Sequence, residues 1–592
     1  MPRWSMLAAL VVALVATGSC NLDVSNPNAP DKNRAFRDPG GLQQMIGGAF
    51  RTWVEARDGY YVMPLDAMAD NYTASWNNAS MRLYSSVGVD CPSRCGWVNQ
   101  STSPDVLPVE AQWYGYYTVL SSANDVLSAI KGGLCFDTDC SVSAKNTTRN
   151  KAIAEMLQGM AFAGISLIYD QGFIVDENTP ADVLANPSLL QFSTRAQIRD
   201  EALKRFESAY ADAGAVAWKT EPDWLGVGGG LQYTNVQIQK LIRTMEAEVI
   251  AMWARNSAEN GTTDWASVVN YASQGVSAPP DTFTLQFFID VTARECGIEC
   301  VKNWGNSILT ERVDTRVAAL ITTNHVSPWP APNGNPCPTT GPDKRVGDGT
   351  YGPADNKDYG TKAATATAGT DFACSGVAIF PAARGSYHQS NLQHIRWHWL
   401  ASRGEDLPGE DGTGNDPLYT TQMNDLNWAE GLIRTNTNLP LAATLINNSR
   451  IVRGSKGCAT PGVGGCGFLP LTGAEGAGAL LAALQYEQEI EFMGQGATPF
   501  FNRRRIDGFG VGSLGPSVVQ TGTPRQMPVP AKELDVLLRS HYTFGGPTSP
   551  DMAPAVGSFG PLRRQTVAQR WREIQGMKPN ASLFSALGGL RQ

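Results

Sequence analysis

The chain has 592 residues, a hydrophobic share of 42% and a formal net charge of −8. This apolar content is ample for a large core, while the mild acidity and the lack of any basic stripe argue against a nucleic-acid partner. No apolar run approaches the roughly twenty residues that a bilayer-spanning helix needs.

In chain order, Arg3 supplies a short positive start, and Leu7 to Ala16 form an unbroken apolar run (LAALVVALVA). Thr17, Gly18 and Ser19 are small residues directly before Cys20. A charged start, a short apolar stretch and small residues at a cut site define a secretory signal, here residues 1–19. The cysteine at the cut makes the stretch resemble the bacterial lipobox, with Thr17 where that pattern usually has Leu. The resemblance implies lipid on Cys20, with several acyl chains needed for a stable anchor. Residues 20–40 are polar and rich in Pro and Asn, which predicts a flexible tether.

From residue 41 the chain reads as helix after helix. Gly41 to Ala56 puts Leu42, Met45, Ile46, Ala49, Phe50 and Trp53 on one face. Ala111 to Lys131 does the same with Trp113, Tyr116, Tyr117, Leu120, Asn124, Leu127 and Ile130. Lys151 to Tyr169 is apolar on most sides, and Gly159, Ala163 and Gly164 leave room for a second helix to approach. Ala196 to Gly214 and Gln232 to Ala258 continue the pattern, with a loop at Gly226 to Gly230 between them. Residues 276–425 change texture to Gly, Pro, Asn and Thr, and loops of that length are usually functional or disordered. Helical periodicity returns at Asn427 to Ile451, Gly473 to Phe492 and Gln565 to Met577. The expected fold is mostly α, a single body over 41–592. Its helical scaffold comprises 41–275 and 426–592, and a large irregular insertion (276–425) presents a loop-built site.

Eleven cysteines less the lipidated one leave ten. Their spacing suggests Cys91 with Cys95, Cys135 with Cys140, Cys296 with Cys300 and Cys458 with Cys466, leaving Cys337 and Cys374 as a fifth pair. Bridges fit an exported protein. Metal binding is the rival reading, but there is no CxxC and no interleaved His, so no metal is expected.

The catalytic motifs lack their context. His394 and His398 sit four apart, as on one helix face, but Ile395 occupies the position where a zincin needs Glu. Gly510-x-Gly512-x-x-Gly515 lies among Pro and Gly without the strand and helix of a dinucleotide site, so no cofactor is expected. Glu487, Glu489 and Glu491 could do glycosidase work in a cleft, but read as solvated acids, with Arg503 to Arg505 pairing to them. Trp397 and Trp399 read as core on a helical stretch.

Several segments, in order, resemble the SusD/RagB family of outer-membrane nutrient-binding lipoproteins. They are GGAFRTW (47–53), WYGYYTVLSSANDVLSAI (113–130), EMLQGMAFAGISLIYDQG (155–172) and AEGLIRTNTNLPLAATLINNSRIVRG (429–454), then YEQEIEFMGQGATPFFNRRRIDG (486–508) and RQMPVPAKEL (525–534). Ala69-Asp70-Asn71 departs from the commoner Thr-Asp-Glu, and Gly496 to Phe501 lacks an Arg–aromatic step. The resemblance implies tetratricopeptide-like helix pairs and a non-enzymatic surface lipoprotein. It further implies that the protein delivers a nutrient, an oligosaccharide before a peptide, to a TonB-dependent (SusC-like) outer-membrane barrel. Sugars offer apolar C–H faces bordered by hydroxyls, which suit flat aromatics beside Asn and Arg. In the regions that form the family's ligand face, this selects Trp76, Asn77, Trp97, Asn99, Trp304, Trp329, Arg384 and Tyr387. The competing expectation is a lipid-anchored helical hydrolase of polysaccharides or peptides, which requires a carboxylate pair or nucleophile in a cleft.

Overall fold

The computed structural model describes residues 37–289 (except 75–76, 87–89, 92–93 and 187–188), 413–506 and 523–543. Within 290–412 it describes 302, 312–321, 342–346, 371–374, 388–390, 392–394 and 396–397. Cys20, the tether as far as residue 36, the GxGxxG string and the helix expected at 565–577 lie outside these residues.

Helix after helix is what the structure shows. In chain order, those of six residues or more are α1 (Pro39–Asp58), α2 (Met63–Met68), α3 (Leu107–Lys131), α4 (Lys145–Ile168), α5 (Arg195–Ala215), α6 (Asn235–Met252) and α7 (Trp265–Ala272). They are followed by α8 (Thr315–Ile321), α9 (Thr421–Thr435), α10 (Leu439–Arg450), α11 (Ala477–Glu491), α12 (Thr498–Arg504) and α13 (Ala531–Val536). Local sequence sets many of the starts. Asp38 accepts from Gly40 N ahead of Pro39, and Thr194/Gln197 and Thr234/Gln237 form capping boxes on α5 and α6. The stretch expected as one helix over 427–451 is two. Asn436 turns left-handed (φ 51°) to end α9, and Asn438 caps α10 ahead of Pro440. Likewise, the helix expected over 232–258 stops at Met252.

Neighbours in sequence pack against one another: α1 on α3, α3 on α4, α4 on α5, α5 on α6, α6 on α7. α9 then packs on α7, α10 and α11. Small residues make the closest approaches. A side chain at Gly159 would collide with the Phe206 ring of α5, and one at Gly164 with the Tyr116 ring of α3. Contrary to the expectation that no stretch reaches spanning length, α4 is the one described helix long and apolar enough to cross a membrane, and most of it is buried in this core.

Strands are few, and all the described pairs are antiparallel. β1 (Tyr72–Thr73) pairs β5 (Arg312–Val313), and β2 (Gln171–Gly172) pairs β3 (Ser193–Thr194). β4 (Leu285–Ile289) pairs β8 (Gly414–Tyr419), so the loop-rich segment enters and leaves the scaffold side by side. β6 (Phe372–Cys374) pairs β7 (Leu392–His394). His394 is therefore on a strand, and Arg396 and Trp397 follow in a turn. This corrects the helical reading at 394, 396 and 397, whose apparent period came from two tryptophans and two histidines in a short run; His398 and Trp399 lie outside the described residues. Trp397 is buried, as expected.

Three of the expected bridges are present: Cys91–Cys95, Cys135–Cys140 and Cys458–Cys466, with Cα separations of 5.4, 6.0 and 5.7 Å. Cys296, Cys300 and Cys337 lie outside the described residues, and Cys374 is in β6.

Candidate functional site

The expected ligand residues divide into three groups. Trp76, Trp304, Trp329, Arg384 and Tyr387 lie outside the described residues. Asn77 is described and exposed. Trp97 and Asn99 correct the expectation, because both are buried and their polar groups are already used. Trp97 Nε1 donates to Gln526 O at 2.8 Å, and its ring packs on Tyr84. Asn99 Nδ2 donates to Val529 O (2.9 Å) and Tyr542 O (2.6 Å), while its Oδ1 accepts from Ala531 N (2.7 Å). A buried amide with three good hydrogen bonds is a structural clasp. These two residues staple the chain near its start to the segment near its end.

The described flanks of the remaining candidates converge. β1, three residues before Trp76, pairs with β5, ten residues beyond Lys302. Asp314 N donates to Asn71 O, and Thr315 N donates to His388 O. Ser390 Oγ donates to Val313 O at 2.6 Å. Lys302 Nζ lies 6.0 Å from the Trp397 ring, and a side chain at Gly494 would meet both Trp397 and Tyr72. Residues 71–74, 302, 312–315, 388–390, 392–394 and 396–397 thus occupy one region, where the loop-rich segment meets the scaffold. Asp70, Ala79, Ser80 and His388 all adopt positive φ there (54°, 47°, 63° and 58°), a conformation that costs a non-glycine residue about 1–3 kcal/mol. All four are buried, so the surrounding fold enforces these backbone shapes.

Beneath that region is a buried ionic layer. The glutamates of α11 were expected to be solvated, but Glu487, Glu489 and Glu491 are at most 1% exposed. Arg345 Nη1 reaches Glu487 at 2.8 Å and Glu491 at 3.1 Å, and Arg396 reaches Glu491 at 2.7 Å. Glu489 pairs with Arg316 at 3.0 Å and with Arg503. Arg505 holds Glu430 by two bonds of 2.8 and 2.5 Å. Of the three arginines at 503–505, only Arg503 pairs with one of these acids as expected; Arg505 pairs instead with Glu430, and Arg504 donates to the carbonyls of Arg525 and Met252. The three glutamates are thus unavailable to a substrate. Burial by itself would raise the Glu491 carboxyl, but Arg396, Arg453 and Arg345 together hold it well below the ordinary range. Asn71 accepts from both Arg316 (3.1 Å) and Arg503 (2.9 Å), so the departure at Ala69-Asp70-Asn71 has a structural use.

His394 is sealed in the same layer, with its Nδ1 2.6 Å from Tyr72 Oη. Burial, with Arg396 and Arg453 nearby, keeps its imidazole well below 6.5 and therefore neutral. The unfolded chain takes up a proton that the folded one refuses, so this share of stability is present above about pH 6.5 and is lost as pH falls. Between pH 6.5 and 5, the melting temperature of His394→Gln should fall less steeply than that of the wild type. Equal slopes in a pH series of thermal melts would contradict this.

An interior cavity of about 40 Å³ is lined by Trp53, Arg57, Tyr116, Glu248, Tyr419 and Thr498. That is room for one or two waters, too small for a sugar ring. Cys135 and Cys140 lie beside Asp137, but their sulfurs are bonded to each other.

No protein-family model matches this sequence. No curated protein matches it either. Solved structures do match in three dimensions. A SusD superfamily protein from Bacteroides thetaiotaomicron aligns with a TM-score of 0.53 at 13% identity, covering 84% of this chain and 97% of that one. A SusD superfamily protein from Bacteroides vulgatus aligns at 0.51 and 12% identity, covering 86% and 99%. A SusD-like protein from Bacteroides fragilis aligns at 0.50 and 11% identity, covering 79% and 86%. With most of each of these chains matched, and with the helix pairs and clasped ends described above, this chain has a SusD-like, mostly α-helical fold.

Proposed function

We propose that this chain is a lipid-anchored, non-enzymatic binding protein of the cell surface that captures an oligosaccharide and passes it to a TonB-dependent outer-membrane barrel. The observation that carries this reading is the convergence of residues 71–74, 302, 312–315 and 388–390, whose neighbours in sequence include Trp76, Trp304, Arg384 and Tyr387. Flat aromatics beside amide and guanidinium groups suit the alternating apolar and hydroxyl surface of a sugar. The SusD-like fold and the signal ending at Cys20 support the same reading. A site on loops held by a rigid frame is how a binding protein separates recognition from stability.

Calorimetry of the mature protein against a panel of oligosaccharides and peptides tests it. A glycan should bind with heat and raise the melting temperature, and Trp76→Ala or Arg384→Ala should weaken that binding at least tenfold. Hydrolysis of any panel member by the purified protein would overturn the non-enzymatic reading. The anchor has its own test. Cys20→Ala should leave a folded, ligand-competent protein in the soluble fraction, and a variant that stayed with membranes would refute lipidation at Cys20. Detergent extracts should yield the protein together with a large β-barrel, and consistent purification alone would count against transport.

A further inference from the structure

Four separate stretches of the loop-rich segment each plant one buried cation on carboxylates. Lys302 Nζ lies 2.7 Å from Asp416 in β8 and 3.5 Å from Asp58 at the end of α1. Arg316 Nη1 donates to Glu489 at 3.0 Å. Arg345 reaches Glu487 and Glu491, and Arg396 reaches Glu491. None of the four is more than 9% exposed. Three of them end on the last turn of α11. A fifth link runs the other way, since Arg453 of the scaffold pairs with Asp371 of the loop-rich segment and donates to Glu491 at 2.8 Å. Glu491 thus gathers three guanidinium groups, and Ser449 Oγ adds a bond of 2.6 Å.

Three carboxylates in the final turn of a helix oppose the negative end of its dipole. A buried carboxylate without a partner costs several kcal/mol more. The last turn of α11 is therefore unfavourable on its own; Arg453 and Arg503 of the scaffold offset part of that cost, and the cations of the loop-rich segment seated on it offset the rest. Charge-assisted bonds also fix position and angle, which an apolar contact does not.

We infer that the last turn of α11, centred on Glu491, is a socket that seats the loop-rich segment and so positions the ligand-binding loops. The positioning half of this inference rests on the proposed function, and the seating half does not. In this scheme Glu491 touches no ligand and acts through Arg345 and Arg396.

The test is Glu491→Gln, which keeps the shape and removes the charge, with Arg396→Met as a milder variant that leaves Arg345 and Arg453 on Glu491. Native-state hydrogen exchange should speed up at least tenfold in 342–346, 371–374 and 392–397, while α1 and α4 keep wild-type protection. At a temperature where both variants are fully folded by circular dichroism, affinity for the glycan that the wild type binds should drop at least tenfold. Uniform loss of protection across the chain in both variants, or no loss in either, would overturn the socket. Local loss of protection with unchanged affinity would overturn its positioning role. If the wild type binds no glycan, the proposed function falls, and the exchange pattern still decides the socket.

Discussion

Glu430→Gln is expected to lower the unfolding free energy by about 3–5 kcal/mol, the usual cost of leaving one half of a buried ion pair alone. Glu430 is 1% exposed in α9, and Arg505 grips it through both nitrogens at 2.8 and 2.5 Å. Arg434 adds a contact of 3.1 Å, and Gln488 Nε2 donates at 2.9 Å. Burial would raise this carboxyl, but Arg505 foremost and then Arg434 hold it down at about 2. Glutamine would keep the volume and one acceptor, while the Arg505 guanidinium would be stranded in the interior. The same linkage sets the pH dependence. With a depressed native value, this stabilisation is complete above about pH 4.5 and disappears as pH falls toward about 2. Urea titration of wild type and variant at pH 7 measures the loss, and a difference below about 1 kcal/mol would contradict the assignment. The matched pair Glu430→Met with Arg505→Met should recover most of the loss, because it removes both fully buried charges and leaves only the partly exposed Arg434 to solvent.

Gly164→Val is expected to be as damaging by a different route. A Cβ at this position would lie 2.3 Å from Cζ of Tyr116 and under 3 Å from both its ε carbons. Tyr116 is 3% exposed and cannot swing into solvent. Moving it would separate α3 from α4 or push the ring into the cavity beside Trp53 and Arg57. Overpacking of this kind costs about 1–3 kcal/mol when a core can adjust, and more when two helices meet backbone to ring. The helix-propensity gain over glycine returns less than about 1 kcal/mol. Differential scanning calorimetry should show a melting temperature several degrees lower than the wild type. Gly48→Ala is the control, since a Cβ there meets nothing within 4 Å and α1 should be unaffected or slightly stabilised.

Most of the helical frame was legible because periodicity and caps agreed. T-x-x-Q stands at the start of both α5 and α6, and Pro39 and Asp38 mark the start of α1. The small residues of α4 announced close packing, and the rings that fill the space proved to be Phe206 and Tyr116. The acids of α11 were misread because charge on a helix ordinarily means solvent. Only the geometry of segments far apart in sequence turns Glu487, Glu489 and Glu491 inward. A signal was nonetheless present: three glutamates crowd the turn where a helix least tolerates them, the last of them twelve residues before Arg503-Arg504-Arg505. Trp97 and Asn99 were misplaced for a related reason. An aromatic and an amide in a loop look alike whether they face a sugar or a carbonyl 429 residues away. The site itself was legible as a region and only partly as residues, with Asn77 the one candidate seen at the surface.

The clasp between residues 97–99 and 526–542 also bears on the order of assembly. Met527 N donates to Ile168 O, and Asp170 N donates to Met527 O, so the same late segment also closes the end of α4. A chain synthesised from its N-terminus has the whole α1–α4 stack in hand hundreds of residues before the groups that finish it appear. Until then, the Trp97 indole and the Asn99 amide have no partners, and the early third stays open to water. Contacts of such long range make for slow closure. Closure of this clasp therefore waits until the segment around Met527 has been made.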